Sequence, residues 1–95
     1  MSKRFDGRVA LVTGGSRGIG KGIAEQFAEE GAKIVILDIN EEALTETQKE
    51  FKERGYSILT IQANVVNAAE VESAIEQIIE EFGSLDILVN NAGII

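Results

Sequence analysis

The 95-residue sequence contains no cysteine and no histidine. Disulfides, thiolate chemistry and imidazole catalysis are therefore excluded within it, and zinc would find no soft ligand, so we predict no metal site. No apolar run approaches the ~20 residues needed to span a bilayer. The first residues, MSKRFDGR, are basic but lack the apolar segment of a signal peptide. We therefore expect a globular protein of the cytoplasm.

Acidic side chains outnumber basic ones by 16 to 9, which gives a net charge of −7. This charge disfavours nucleic acids and anionic membranes as partners, because both would repel the chain. The hydrophobic share of 44% and the charged share of 26% are ordinary for a globular protein. The length suits one small domain, so we predict that residues 1–95 form a single domain.

Four short apolar runs alternate with three helical patterns along the chain. The runs are VALVT (9–13), KIVILD (33–38), SILTIQA (57–63) and LDILVNN (85–91). The order β-α-β-α-β-α-β predicts an α/β fold with a parallel sheet and helices on both faces. This resembles one half of a doubly wound Rossmann fold, for which the expected strand order is 3-2-1-4.

Each helical pattern has an apolar stripe and marked ends. The predicted stripes are Ile19, Ile23 and Phe27 in the first helix, Leu44, Thr47 and Phe51 in the second, and Val71, Ala74, Ile75, Ile78, Ile79 and Phe82 in the third. Left-handed glycine caps are expected at Gly31, Gly55 and Gly83. Asn40 is expected to cap the second helix, and Asn67 with Glu70 predicts a capping box on the third.

Glycines are concentrated in VTGGSRGIG, residues 12–20, where a strand should lead into a helix. A phosphate-binding turn must bend tightly, let its backbone approach the pyrophosphate, and pack the new helix against the strand. Gly14, Gly18 and Gly20 can meet these three demands in turn, and the helix N-terminus then presents free N–H groups to the anion. The alternative is that the glycines only form turns.

Residues 13–20, TGGSRGIG, resemble the cofactor motif of the short-chain dehydrogenases/reductases, and residues 90–93, NNAG, resemble a second motif of that family. The similarity covers essentially the whole chain, and within the family the sequence looks most like the 3-oxoacyl-acyl-carrier-protein reductases and related sugar or polyol dehydrogenases. It implies the NAD(P)-binding N-terminal portion of an oxidoreductase. The parent protein would transfer hydride between a nicotinamide cofactor and a carbonyl or hydroxyl substrate.

The resemblance also implies a set of cofactor contacts. In the glycine turn these are Gly14, Ser16, Arg17, Gly18, Ile19 and Gly20. After the third strand, Asn64 and Val65 stand where the family contacts adenine, although Asn64 could instead be a turn residue. Asn91, Ala92 and Gly93 are expected to face the ribose next to the nicotinamide. Asn90 is expected to tie neighbouring strands together.

Asp38 and Arg17 favour different cofactors. Asp38 follows Gly14 by 24 residues and ends the second strand, where a carboxylate accepts hydrogen bonds from the adenosine ribose and repels a 2′-phosphate. Arg17 could pair with a 2′-phosphate or lie in solvent. Because a repulsive group in the ribose pocket discriminates more strongly than an exposed attractive one, we predict NAD and leave NADP as the alternative. Asp38 could otherwise be an acidic residue at a helix start.

The family's catalytic tyrosine, lysine and serine lie beyond its NNAG motif. Tyr56 is the only tyrosine here, and Ser57-Ile58-Leu59-Thr60 follows it without a lysine. We therefore predict no catalytic residue in this chain and expect no activity from it alone. With no neighbour beyond it, the apolar fourth strand predicts self-association as a twofold dimer. The alternative function is a non-catalytic assembly unit that self-associates and binds cofactor weakly or not at all.

Overall fold

A computed structural model describes residues 4–91 of the chain. The elements alternate as predicted: β1 (Val9–Thr13), α1 (Gly18–Glu29), β2 (Lys33–Asp38), α2 (Glu41–Glu53), β3 (Ile58–Gln62), α3 (Ala68–Phe82) and β4 (Ile87–Asn90). The third and fourth strands are shorter than their apolar runs, because Ser57 and Ala63 flank β3 and Leu85, Asp86 and Asn91 flank β4 without being part of the strands.

The four strands form one parallel sheet in the order β3-β2-β1-β4, which confirms the predicted topology. Leu11 in β1 pairs with Val35 of β2 on one side and with Leu88 of β4 on the other. All five residues of β1 are buried, whereas β4 is only half-buried at the sheet edge. Because every strand runs the same way, all four carboxyl ends lie along one edge of the sheet.

Alternate side chains of β1 and β2 enter two separate cores. On one face Ala10, Val12, Ile34 and Ile36 pack with buried residues of α1 and α2, including Phe51. On the other face Val9, Leu11, Val35 and Leu37 pack with Ala74 and Ile78 of α3. This explains why the first two runs are continuously apolar: both faces of these strands are covered.

The buried face of α1 differs from the predicted stripe. Gly20, Ala24 and Ala28 are buried, Ile23 and Phe27 are half-buried, and Ile19 is 77% exposed. Small side chains allow a helix to pack close to a sheet. The face of α1 that packs on the sheet therefore consists of Gly20, Ala24 and Ala28, which contribute little to an apolar pattern. The prediction of Ile19 as a core residue was therefore wrong.

The apolar face of α3 is wider than the surface that covers it. Ala74 and Ile78 are buried and Val71 and Phe82 are half-buried, but Ile75 and Ile79 remain exposed. α3 is alone on its side of the sheet, so no second helix shields its flank within residues 4–91. None of the helices in this range has the length and apolar character needed to cross a membrane.

The helix ends largely follow the sequence prediction. Gly31, Gly55 and Gly83 have φ values of 91°, 81° and 82°, the left-handed conformation expected after a helix. Asn40 Oδ1 accepts a hydrogen bond from the Ala43 N–H at 2.9 Å. Asn67 Oδ1 likewise accepts one from the Glu70 N–H at 3.1 Å, but the other half of the predicted capping box is not formed there. Glu70 instead accepts a hydrogen bond from the Asn64 N–H.

Candidate functional site

The glycine turn joins the carboxyl end of β1 to α1. Gly14 and Gly18 have φ values of 64° and 61°, which residues with a Cβ rarely adopt. The Gly14 N–H donates to the Leu37 carbonyl at 2.7 Å, so the turn is fixed to the end of β2 as soon as it leaves β1.

Gly20 allows the helix to pack against the turn that precedes it. A Cβ at this position would lie 2.4 Å from the Gly14 carbonyl oxygen and 2.6 Å from Asn91 Nδ2. Both distances are well below van der Waals contact, so only glycine fits without displacing the backbone. The close-packing demand predicted for Gly20 is therefore a feature of this structure.

Gly18 is constrained in a different way. A Cβ built there meets no atom within 4 Å, so contact with the turn does not require glycine at this position. The left-handed φ supplies the constraint instead, and the space above the residue is open. Arg17, Gly18 and Ile19 are all exposed at this corner, which leaves the start of α1 accessible.

The N-terminus of α1 lacks the side-chain caps that the other helices have. Arg17 occupies the N-cap position without a side-chain hydrogen bond to the helix, and the first turn contains no acidic residue. α2 and α3, by contrast, each have an asparagine cap and at least one glutamate in the first turn. The free N–H groups and positive dipole end of α1 suit a bound anion.

Asp38 lies beside this turn as a buried carboxylate. Its Oδ2 accepts hydrogen bonds from the Ser16 hydroxyl and from the Ser16 N–H at 3.4 Å, and its Oδ1 accepts one from the Asn40 N–H at 3.1 Å. Burial alone would raise the pKa of Asp38, but hydrogen bonds from Ser16, Asn40 and Ile39 outweigh it and lower the pKa below its ordinary value. The group is therefore an anion at neutral pH.

An open cleft of about 280 Å³ runs between the ends of β2 and β3. Its lining contains four of the predicted cofactor residues, and the full set is Gly14, Leu37, Asp38, Ile39, Ala63, Asn64, Val65 and Val66. Ile39 and Val66 are large apolar side chains that remain mostly exposed. The sequence analysis did not single them out, because each looks like an ordinary loop residue until the two strand ends are placed side by side.

Asn64 is held at the mouth of the cleft by its neighbours along the chain. Its N–H donates to Glu70 Oε1 at 2.9 Å, and its side-chain Oδ1 accepts from the Val66 N–H at 3.1 Å. The second contact closes a turn of the kind asparagine commonly forms. One lone pair of the side-chain oxygen is therefore already used, and its second lone pair and the amide N–H₂ remain for other partners.

The end of β4 closes the site from the other side. The Thr13 hydroxyl donates to Asn90 Oδ1 at 3.2 Å, so Asn90 ties β4 to β1 as predicted. Asn91 Nδ2 donates to the Gly14 carbonyl at 3.2 Å, which brings the second motif into direct contact with the first. Ala92 and Gly93 lie outside the described residues.

Tyr56 lies at the opposite end of the sheet from this cleft, just ahead of β3. Its ring packs edge-on against Phe51, with ring centroids 5.8 Å apart, and its hydroxyl accepts a hydrogen bond from Arg54. These contacts give the ring a packing role. Within residues 4–91, no group of three or more acidic side chains is arranged to hold a metal ion.

Comparison with known proteins identifies the family. The family described as short chain dehydrogenase matches residues 8–95. The chain belongs to the short-chain dehydrogenase family. It corresponds to the N-terminal, cofactor-binding part of the family's fold, which contains the glycine turn and the end of β4 described above.

Two curated relatives show how much of such a protein the chain represents. A diacetyl reductase [(S)-acetoin forming] of Staphylococcus epidermidis is 47% identical over 87 residues, which are 92% of this chain and 34% of the relative. The 2,5-dichloro-2,5-cyclohexadiene-1,4-diol dehydrogenase LinX of Sphingobium indicum is 46% identical over all 95 residues and is matched over 38% of its own length. The chain thus spans about a third of these short-chain dehydrogenases.

Solved structures share the fold closely. L-sorbose reductase from Gluconobacter frateurii, complexed with NADPH and L-sorbose, superposes with a TM-score of 0.91 at 41% identity, over 99% of this chain and 36% of the reductase. NAD⁺-bound xylitol dehydrogenase also gives 0.91, at 37% identity over 97% of this chain and 35% of that protein. Family members of this fold therefore bind either form of the dinucleotide.

Proposed function

We propose that this chain binds a nicotinamide dinucleotide across the carboxyl edge of its sheet. The pyrophosphate lies at the N-terminus of α1 and the adenosine occupies the cleft between β2 and β3. The Asp38 carboxylate is the observation that carries the proposal, because a buried anion at the wall of an open cleft is suited to accept hydrogen bonds from ribose hydroxyls.

The described residues offer such a ligand three kinds of contact: backbone N–H donors, apolar surface and a side-chain amide. The uncapped first turn of α1 offers N–H donors to the pyrophosphate, and Gly18 leaves the approach open. Exposed Ile39 and Val66 offer apolar surface to the two faces of an adenine ring. The Asn64 amide can donate to a ring nitrogen, while Val65 lines the same cleft.

We propose NAD rather than NADP as the preferred cofactor. A 2′-phosphate would bring negative charge next to the Asp38 carboxylate, whose pKa is already lowered. Exposed Arg17 could attract that phosphate, but an exposed ion pair contributes little compared with a buried repulsion. The short-chain dehydrogenases of similar structure include an NADPH complex and an NAD⁺ complex, so the residues of this chain decide the choice.

We further propose that the complete protein is an oxidoreductase acting on a carbonyl or hydroxyl substrate, as the names of its relatives indicate for them. The bound nicotinamide would supply or accept the hydride. The glycine turn and the cleft would bind and orient the dinucleotide, and the family resemblance implies that Asn91, Ala92 and Gly93 face the ribose next to the nicotinamide. Adding the separate C-terminal portion of a relative and assaying carbonyl reduction tests this activity.

We also propose that residues 1–95 fold as one domain and self-associate through β4. Within residues 4–91 this strand pairs only with β1, and Leu88 at its centre is 63% exposed. Its residues Ile87–Asn90 include no charged side chain to discourage pairing. A twofold axis would pair β4 with its copy and extend the sheet to eight strands. Sedimentation at tens of micromolar should show a dimer, and a monomer alone would contradict this proposal.

Calorimetric titration of the chain with NAD, with NADP in parallel and sedimentation on the same sample, tests the binding proposal. Saturable binding that favours NAD supports it. A folded, self-associated chain that binds neither dinucleotide would instead support the alternative function, an assembly unit in which the glycine turn is not used. Equal binding of both cofactors would support the cleft but contradict the proposed preference.

A further inference from the structure

One buried hydroxyl in α2 has a contact that the helix itself does not require. Thr47 is 0% exposed and lies between Leu44 and Phe51 in the apolar stripe of the helix. Its Oγ1 donates to the Ser16 carbonyl at 2.8 Å, across the gap between α2 and the glycine turn. Thr45 on the same helix shows the common alternative, since its hydroxyl donates to the Glu41 carbonyl one turn back.

Ser16 connects Thr47 to Asp38 at the end of β2. Its carbonyl is fixed by Thr47, while its hydroxyl and its N–H both donate to Asp38 Oδ2. Ser16 is itself buried, so neither group has water as a ready substitute. The three residues therefore form a connected chain of hydrogen bonds from the centre of α2 to the carboxylate that faces the cleft.

The hydrogen bonds that join Thr47, Ser16 and Asp38 determine which acceptor sites of Asp38 remain for a ligand. Oδ2 already accepts two hydrogen bonds from Ser16, from its N–H and from its hydroxyl, whereas Oδ1 accepts one from the Asn40 N–H. A carboxylate oxygen has two lone pairs, so Oδ1 is the oxygen with room for a ribose hydroxyl. A carboxylate that could rotate would present either oxygen or turn aside from a 2′-phosphate. A carboxylate held by Ser16 cannot rotate in this way, so it continues to face and repel a 2′-phosphate.

We propose that Thr47 is a positioning residue for cofactor choice: by fixing Ser16 it holds Asp38 in the orientation that accepts a ribose hydroxyl and excludes a 2′-phosphate. This inference rests on the proposed function. It assigns to a residue of the α2 core a part of the discrimination that Asp38 exerts directly.

Thr47→Val tests the inference, because valine keeps the shape of the side chain and replaces the hydroxyl with a methyl group, which cannot donate to the Ser16 carbonyl. The ratio of the dissociation constants for NADP and NAD should fall by ~3–10-fold, a change of about 0.7–1.4 kcal/mol. Thr47→Ser keeps the hydroxyl donor and should therefore keep the ratio of the unsubstituted chain. Thr45→Val is the matched control, since it removes an exposed hydroxyl from the same helix and should leave the ratio unchanged.

A second readout needs no cofactor. Titration of the Asp38 side-chain carbon by nuclear magnetic resonance should show a higher pKa in Thr47→Val and in Ser16→Ala than in the unsubstituted chain or Thr47→Ser. A purely structural role for Thr47 would weaken both cofactors alike and leave the ratio and the pKa in place. If Thr47→Val does not fold, Thr47→Ser and Ser16→Ala decide: an unchanged ratio and pKa in folded Ser16→Ala overturns the inference.

The outcomes for the unsubstituted chain separate this inference from the proposed function. A chain that binds neither dinucleotide contradicts the proposed function, and the inference about Thr47 fails with it. A chain that prefers NAD, with the same preference in folded Thr47→Val, leaves the proposed function standing and overturns the inference alone.

Discussion

Gly20 lies directly against Gly14, so that a methyl group at residue 20 would be 2.4 Å from the Gly14 carbonyl oxygen. Gly14 and Gly20, the first and last glycines of the turn, are therefore parts of one contact. Asn91 Nδ2, which donates to the same carbonyl, would be 2.6 Å from that methyl group. A single substitution at residue 20 thus disturbs the glycine turn and the end of β4 together.

Gly20→Ala should lose cofactor binding and destabilise the fold by about 1–3 kcal/mol, as overpacking against backbone does. Gly22→Ala is the matched control in the same helix, because a Cβ there meets no atom within 4 Å. Helix propensity predicts that this control gains about 0.5–1 kcal/mol. Urea unfolding and calorimetric titration measure both effects. Normal binding by Gly20→Ala would show that the turn can shift without harm to the site.

Gly18→Val should abolish dinucleotide binding, because its side chain would occupy the open space at the start of α1 that the pyrophosphate needs. Lost stability is not the expected cause. A residue with a Cβ in the left-handed conformation costs ~1–2 kcal/mol, and Gly55→Val incurs the same kind of strain at φ 81° beyond the end of α2. Both variants should unfold at lower urea concentration. Only Gly18→Val should lose NAD affinity, and an equal loss in Gly55→Val would mean that stability alone controls binding.

Asp38→Ala should bring the dissociation constants for NAD and NADP closer together by roughly 10-fold or more, which corresponds to about 1.4 kcal/mol. The reason is that the variant loses both the ribose acceptor and the charge that repels a 2′-phosphate. Glu42→Ala removes an equal charge from the exposed first turn of α2 and serves as the control. An unchanged ratio in folded Asp38→Ala would remove Asp38 from the ribose site.

The lowered pKa of Asp38 predicts how its contribution to stability depends on pH. Since the folded pKa lies below the unfolded one, which is about 3.9, the ionised carboxylate stabilises the fold above that pH. The contribution is lost as the pH falls through the folded pKa. The difference in unfolding free energy between the unsubstituted chain and Asp38→Asn should therefore be constant from pH 7 to 5 and shrink below pH 4. A difference that does not change with pH would contradict the assignment.

The sequence predicts the features that depend on residues near each other in the chain. The order of strands and helices along the chain follows from apolar runs, and the caps follow from asparagines and glycines, whereas the strand order in the sheet was expected from the resemblance to half of a Rossmann fold. The face of α1 was mispredicted, because close approach to a sheet selects Ala24 and Ala28 over the bulkier Ile19. Apolar periodicity measures hydrophobicity and contains no information about the distance between a helix and its sheet.

The contacts that complete the site could not be predicted in the same way. Thr47 reads as a weak member of an apolar stripe, and its bond to Ser16 exists only because α2 packs beside the glycine turn. Glu70 fits a capping box by spacing, yet it reaches Asn64 instead of Asn67. The first contact depends on how α2 is placed beside the glycine turn, and the second depends on the conformation of the loop between β3 and α3; the residue pattern specifies neither.

The bond between Asn91 and Gly14 joins residues 77 positions apart, and it has a consequence for the order of folding. Closing so long a loop costs more chain entropy than the local pairing of β1 with β2, so we expect β4 to dock after β1 and β2 have paired. Until β4 has docked, the Gly14 carbonyl lacks the hydrogen bond that Asn91 donates to it. The proposed dinucleotide would therefore stabilise only chains in which β4 has docked beside the glycine turn, because a ligand stabilises the state that binds it.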